Sequence, residues 1–110
     1  MPISGPAVQI LPTDGAKIAD VTHADTVEHS MALPAGYPAN TKAIIIRAAR
    51  QAGTGSFRLY CPSGSFSYVL TSGGASSCGW WIRQADGLFH YSLSVANDDW
   101  DIYGSAVMTG

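Results

Sequence analysis

Leu88-Phe89-His90-Tyr91-Ser92-Leu93-Ser94-Val95 is the stretch that decides the fold. Its large apolar side chains, Phe89, Tyr91, Leu93 and Val95, fall on every second position, and His90, Ser92 and Ser94 fill the gaps. Successive side chains of a strand point to opposite faces, so this is the pattern of a β-strand with one dry and one wet side. Asp86-Gly87 lies just before it, and glycine accepts the positive φ of a tight hairpin, so Ile82 and Leu88 flank a turn. Downstream, in Asp99–Met108, Trp100 and Ile102 are opposed by Asp101 and Tyr103. Upstream, Phe57, Leu59 and Cys61 alternate with Arg58 and Tyr60, and Phe66, Tyr68 and Leu70 repeat the pattern beyond Pro62-Ser63-Gly64-Ser65.

Nearer the start, Val27, Met31 and Leu33 alternate with Glu28 and Ser30, and Ala43-Ile44-Ile45-Ile46 reads as a strand buried on both faces. Ala7–Leu11 and Lys17–Thr22 complete a set of eight or nine short strands, separated by Gly, Pro, Asp and Ser turns. With no segment of helical period, the expectation is an all-β chain: an antiparallel β-sandwich, jelly-roll-like. Residues 16–110 form the single domain, and residues 1–15, with Pro2, Pro6 and Pro12, form an extended N-terminal arm.

The 110 residues suit one domain, and 46% hydrophobic against 13% charged residues exclude a disordered chain. Six basic against eight acidic residues leave a net charge of -2, and Arg47, Arg50, Arg58 and Arg83 are dispersed rather than striped, which argues against nucleic acid as a partner. No apolar run approaches the roughly 20 residues of a membrane span, and Met1–Pro6 lacks the basic and apolar regions of a secretory signal. The expected place of synthesis is therefore the cytosol, unless the chain is a processed form. Cys61 and Cys78 fit either two buried thiols or one disulfide.

No nucleophile elbow of the Gly-x-Ser-x-Gly kind is present, and Gly53-Thr54-Gly55 lacks the lysine of a phosphate-binding loop, so no catalytic set is expected. His23, Asp25 and His29 share strand parity and have the chemistry of a two-histidine, one-carboxylate metal site, set against the plainer reading of a solvated face beside a turn. Asn97, Asp98, Asp99 and Asp101 offer oxygen ligands for calcium, but they lack the glycine and distant glutamate of a calcium loop, so a capped turn is the expectation. No metal and no cofactor is expected.

Aromatic parity carries the prediction of a contact surface. Trp80 shares a side with Ile82 and is expected in the core, whereas Trp81 shares a side with Arg83 and is expected outside. The same parity puts Arg58, Tyr60 and Tyr103 outward. Trp, Tyr and Arg dominate interface hot spots, so Trp81, Arg83, Arg58, Tyr60 and Tyr103 are expected to form a contact face, with Ile3, Val8 and Ile10 of the arm strapping a neighbouring subunit.

Two stretches, Leu33-Pro34-Ala35-Gly36-Tyr37-Pro38-Ala39-Asn40-Thr41-Lys42-Ala43-Ile44-Ile45-Ile46-Arg47 and Asp86–Gly104, resemble the strand entry and the closing hairpin of small bacteriophage virion β-sandwich proteins. The resemblance implies a head-decoration or tail-appendage subunit without catalysis, a homo-oligomer (a trimer is the first expectation) contacting other virion proteins. It implies a location in the virion after synthesis in the bacterial host cytoplasm. The alternative is a carbohydrate-binding module or host-receptor-binding head, in which Trp81, Tyr60 and Tyr103 stack on a glycan and Asn97, Asp98 and Asp99 hydrogen-bond to it.

Overall fold

The computed structural model describes residues 7–10, 16–60, 66–71 and 76–110. Within them the chain runs through β1 (Ala7–Ile10), β2 (Ala16–Val21), β3 (His29–Met31), β4 (Thr41–Ala52), β5 (Ser56–Tyr60), β6 (Phe66–Thr71), β7 (Ser76–Ile82), β8 (Phe89–Leu93) and β9 (Asp99–Thr109). No described residue is helical, and among the described residues no helix is long and apolar enough to cross a membrane. The expectation of an all-β chain holds, and the strands form two antiparallel sheets.

In the first sheet β9 is central, with β4 and then β7 on one side, and β1 and β2 end to end along the other. The second sheet has the order β3-β8-β5-β6. The pairs β2 with β9, β3 with β8, β4 with β7 and β5 with β6 nest inside one another like a single long hairpin. β4 with β9 and β5 with β8 join the two arms of that hairpin within each sheet.

The inner faces meet in one aromatic core. Trp81, from the first sheet, is fully buried and packs its ring 5.8 Å edge-on from Phe57, 5.5 Å from Phe89 and 5.7 Å from Tyr91, all in the second sheet. Phe57 also stacks on Tyr91 at 5.2 Å and lies 5.8 Å from Trp100, so the rings tie both sheets together. Offset and edge-to-face pairs at these separations add to the burial of area. Trp81 Nε1 donates to the carbonyl of His90 at 2.9 Å, which satisfies its one polar atom.

This reverses the expected roles of the tandem tryptophans. Trp81 lies opposite the buried Ile44, whereas Trp80 lies opposite the half-buried Ile45 and Ile82 opposite Ala43, on the outer side. Strict alternation through residue 83 would put the apolar Ile82 inward and the charged Arg83 outward. β7 ends at Ile82, so Arg83 is no longer bound by strand geometry, and its guanidinium is drawn aside by carbonyls of the neighbouring turns.

β9 also departs from simple alternation. Ile46 pairs with Gly104 and Ile45 with Ala106, which leaves Ser105 as an extra residue. Such a bulge shifts the alternation by one position. Trp100 and Ile102 therefore face the core on one side of it and Val107 on the other. The alternation of Phe89, Tyr91 and Leu93 is as expected, but the strand ends there, and Val95 is 40% exposed on the turn that follows. Val27, at 59% exposed, likewise lies before β3 rather than on its dry side.

Asp98 is the turn cap expected of the acidic corner, although it caps a different turn. At 2% exposure, its carboxylate accepts the backbone N–H groups of Thr54 at 3.3 Å and Gly55 at 2.7 Å, closing the β4–β5 connection. Gly53, at φ +106°, lies so close that a Cβ there would overlap the same carboxylate.

The expected cost of Trp81→Ala is about 3–5 kcal/mol of folding stability, that of a large buried cavity, whereas Trp80→Ala should cost about 1 kcal/mol, as read by urea unfolding. Equal losses would mean that both indoles are core. Asp98→Ala should cost about 2–3 kcal/mol by leaving two backbone donors in a part-buried turn without their charged acceptor.

Candidate interaction surface

A water-facing sheet surface alternates polar residues outward. The outer face of the first sheet does not do so along half its length. Cross-strand register sets Ile82, Ala43 and Met108 in one row, and Trp80, Ile45 and Ala106 in the next. Ile82 is 42% exposed, and Trp80, Ile45 and Met108 are half-buried. Every described strand belongs to one of the two sheets, and the second sheet lies against the opposite face, so no described strand covers these rows. The surface turns polar at the third row, where Arg47 lies opposite Cys78 and Tyr103 and stacks its guanidinium 4.1 Å over the Tyr103 ring.

The expected contact residues do not share a surface. Tyr103 does point outward, but on the first sheet. Arg58 and Tyr60 alternate with the buried Phe57 and Leu59, so they lie on the outer face of the second sheet, where Tyr60 Oη donates to Ser92 Oγ at 3.2 Å. Trp81 lies between the sheets and Arg83 at the turn after β7. A contact face built on Trp81 is therefore ruled out, because the indole is sealed by three rings. β1, which holds Val8 and Ile10, pairs with β9 of its own chain rather than reaching out as an arm, and Ile3 and Cys61 lie outside the described residues. Cys78 lies on β7 and is exposed. Trp80 and Ile82, expected in the core, lie on the outer side instead. Their adjacency to an isoleucine strand on the outer side was readable only once the register was known.

The histidines gather at the β3–β8 end of the second sheet. His23 and His29 stack with ring centres 3.6 Å apart, His23 Nε2 and Tyr91 Oη share a 2.8 Å hydrogen bond, and His29 Nε2 lies 2.7 Å from Asp25 Oδ1. His90 bridges Glu28 and Asp86, at 2.7 Å to each. The pairing of each Nε2 with Tyr91 or Asp25 directs the two rings to separate partners rather than to a shared ion. Among the described residues, the group whose ligand atoms converge within 4.8 Å is Asp20, Asp99 and Asp101, and Lys17 Nζ already lies 3.9 Å from Asp20 and 3.8 Å from Asp101. Burial, reinforced by Asp20, pushes the Asp99 carboxyl above its ordinary range.

Burial holds His23 below the ordinary histidine value, and the adjacent His29 adds to the effect more than Asp25 offsets it. The His29 hydrogen bond lowers Asp25, and the Leu88 backbone N–H lowers Asp86. No protein-family model matches the chain, and no curated protein matches it.

The depressed His23 has a readable consequence. As pH falls through about 6.5, the unfolded chain takes up a proton at this position that the folded chain resists, so stability falls. Asp25 and Asp86 contribute above the ordinary carboxylate range and lose that contribution only at lower pH, as their depressed folded values are passed. The loss of urea-unfolding stability between pH 7.5 and pH 5.5 should therefore be smaller in His23→Gln than in the parent chain. An undiminished loss would remove His23 as its source.

Proposed function

We propose that the chain is a non-enzymatic structural subunit, a jelly-roll β-sandwich that works by binding copies of itself and neighbouring proteins. The nested pairing of four strand couples supports the jelly-roll reading, an architecture used by viral capsid and lectin domains. Architecture alone does not assign work. The observation that carries the function is the apolar outer face of the first sheet, with Trp80, Ile82, Ile45 and Met108 facing away from the core. Contiguous apolar surface of this kind marks a contact region, and a tryptophan at its centre is the residue type that anchors one.

The occupant is a second copy of this chain. Strands β4, β7 and β9 present the face as one continuous sheet surface, and closed symmetric assembly would bury it at every subunit, with a trimer as the first arrangement to test. A total of about 1,600 Å² would suffice for a stable contact. The resemblance of Leu33–Arg47 and Asp86–Gly104 to phage virion β-sandwich proteins supports the further reading of a decoration or appendage subunit, made in the bacterial host cytoplasm and carried in the virion. The glycan-binding alternative has lost its principal platform, since Trp81 is buried and Arg47 covers a face of Tyr103.

Light scattering behind size exclusion should give a multiple of the chain mass at micromolar concentration. Ile82→Lys should reduce it to the single-chain mass while leaving the far-ultraviolet spectrum unchanged. A parent chain that stays monomeric at high concentration would end the proposal. So would purified particles that lack the chain by mass spectrometry.

A further inference from the structure

At the start of β4 and just past the end of β7, next to the first apolar row, a cavity of about 350 Å³ opens between Thr41 and Lys42 on one side and Arg83, Gln84, Ala85 and Gly87 on the other. None of its lining residues is acidic. Two of them are cations, and among the described residues neither forms an ion pair. The nearest acid in sequence, Asp86, is committed elsewhere: its carboxylate accepts the Leu88 N–H at 3.0 Å and pairs with His90 at 2.7 Å.

The Arg83 guanidinium is fixed in place. Its Nε donates to the Gly87 carbonyl at 2.9 Å, and its Nη1 to the carbonyls of Ala39 at 3.0 Å and Thr41 at 3.3 Å. Carbonyl acceptors orient the group without neutralising it, and among the described residues its Nη2 has no hydrogen-bond partner. The turn is held by backbone bonds from Arg83 to Lys42, from Gln84 to Leu88 and from Gly87 to Gln84. Gly87, at φ +81°, leaves clear the space beside Nη2, where a Cβ would stand at 3.7 Å. Gln84 lines the same cavity, and its side-chain amide nitrogen is buried without a hydrogen-bond partner among the described residues.

An unmet buried donor next to an immobilised, unneutralised guanidinium is matched by a ligand that supplies acceptor oxygens and negative charge together. We propose that this cavity binds a small polar molecule bearing an oxyanion, a carboxylate or a phosphate. Arg83 Nη2 and the Gln84 amide donate to its oxygens, and the flexible Lys42 supplies the second charge at the mouth. Holding the arginine in advance reduces the ordering cost of binding. The site is chemically distinct from the apolar face, since its lining residues include none of the residues that form that face.

Titrations followed by nuclear magnetic resonance at the Arg83 Nε–H and Gln84 side-chain amide signals, at pH 7 and fixed low ionic strength, test this directly. The probes are inorganic phosphate, glucuronate and, as the uncharged control, glucose. Saturable shifts with phosphate alone assign the site to phosphate, shifts with glucuronate alone assign it to a carboxylate, and shifts with both show that it reads the oxyanion; each supports the proposal. Arg83→Gln also removes three bonds that hold the turns, so the decisive variants are Gln84→Glu, expected to weaken binding about tenfold or more, and Lys42→Gln, expected to weaken it about threefold. The absence of saturable shifts with either anion, an equal response to glucose, or unchanged affinity in both variants would overturn it.

Discussion

The burial of one indole, Trp81, fixes the orientation of everything on β7. Its ring fills the space between the sheets against Phe57, Phe89 and Tyr91, and its one donor meets the His90 carbonyl. Side chains alternate along a strand, so placing Trp81 inward places Trp80 and Ile82 outward. Beyond Ile82, the last residue of the strand, Arg83 turns toward the carbonyls of Ala39, Thr41 and Gly87. The apolar outer face of β7 is therefore a consequence of a single packing decision in the core.

The neighbouring strands make that decision consequential. β4 brings Ile45 and Ala43 to the outer side opposite Trp80 and Ile82, and β9 brings Ala106 and Met108. The last two reach that side only because Ser105 bulges out of register, which lets β9 keep Trp100, Ile102 and Val107 in the core while changing the sense of its alternation. Polar interactions, by contrast, close the ends: Asp98 secures the β4–β5 turn, and the stacked His23 and His29 cover Tyr91 at the edge of the second sheet.

Much of this was legible in the chain itself. Phe57, Leu59, Phe89, Tyr91, Leu93, Trp100 and Ile102 are spaced two apart and are all buried, because a half-buried strand admits no other spacing. The outward parity of Arg58, Tyr60 and Tyr103 followed from the same rule. It failed at Trp80-Trp81, where both neighbours are aromatic and the choice rested on Ile82 and Arg83, which lie at the strand's last position and just beyond it. The Ile44-Ile45-Ile46 run was read as buried on both faces. Ile44 and Ile46 are buried, but Ile45 faces outward and is only half-buried.

Local periodicity by itself determined that this chain is all-β, where most of its strands lie and which residues alternate with the core, because side-chain direction along a strand is a property of the backbone. Tertiary structure alone decided which of two adjacent tryptophans went inside, that Asp98 would reach a turn more than 40 residues away, and that Lys42, Arg83 and Gln84 would line one cavity. Those choices depend on register between strands distant in sequence. No periodicity within a strand encodes that register, because it is set by the competition of whole side chains for one interior.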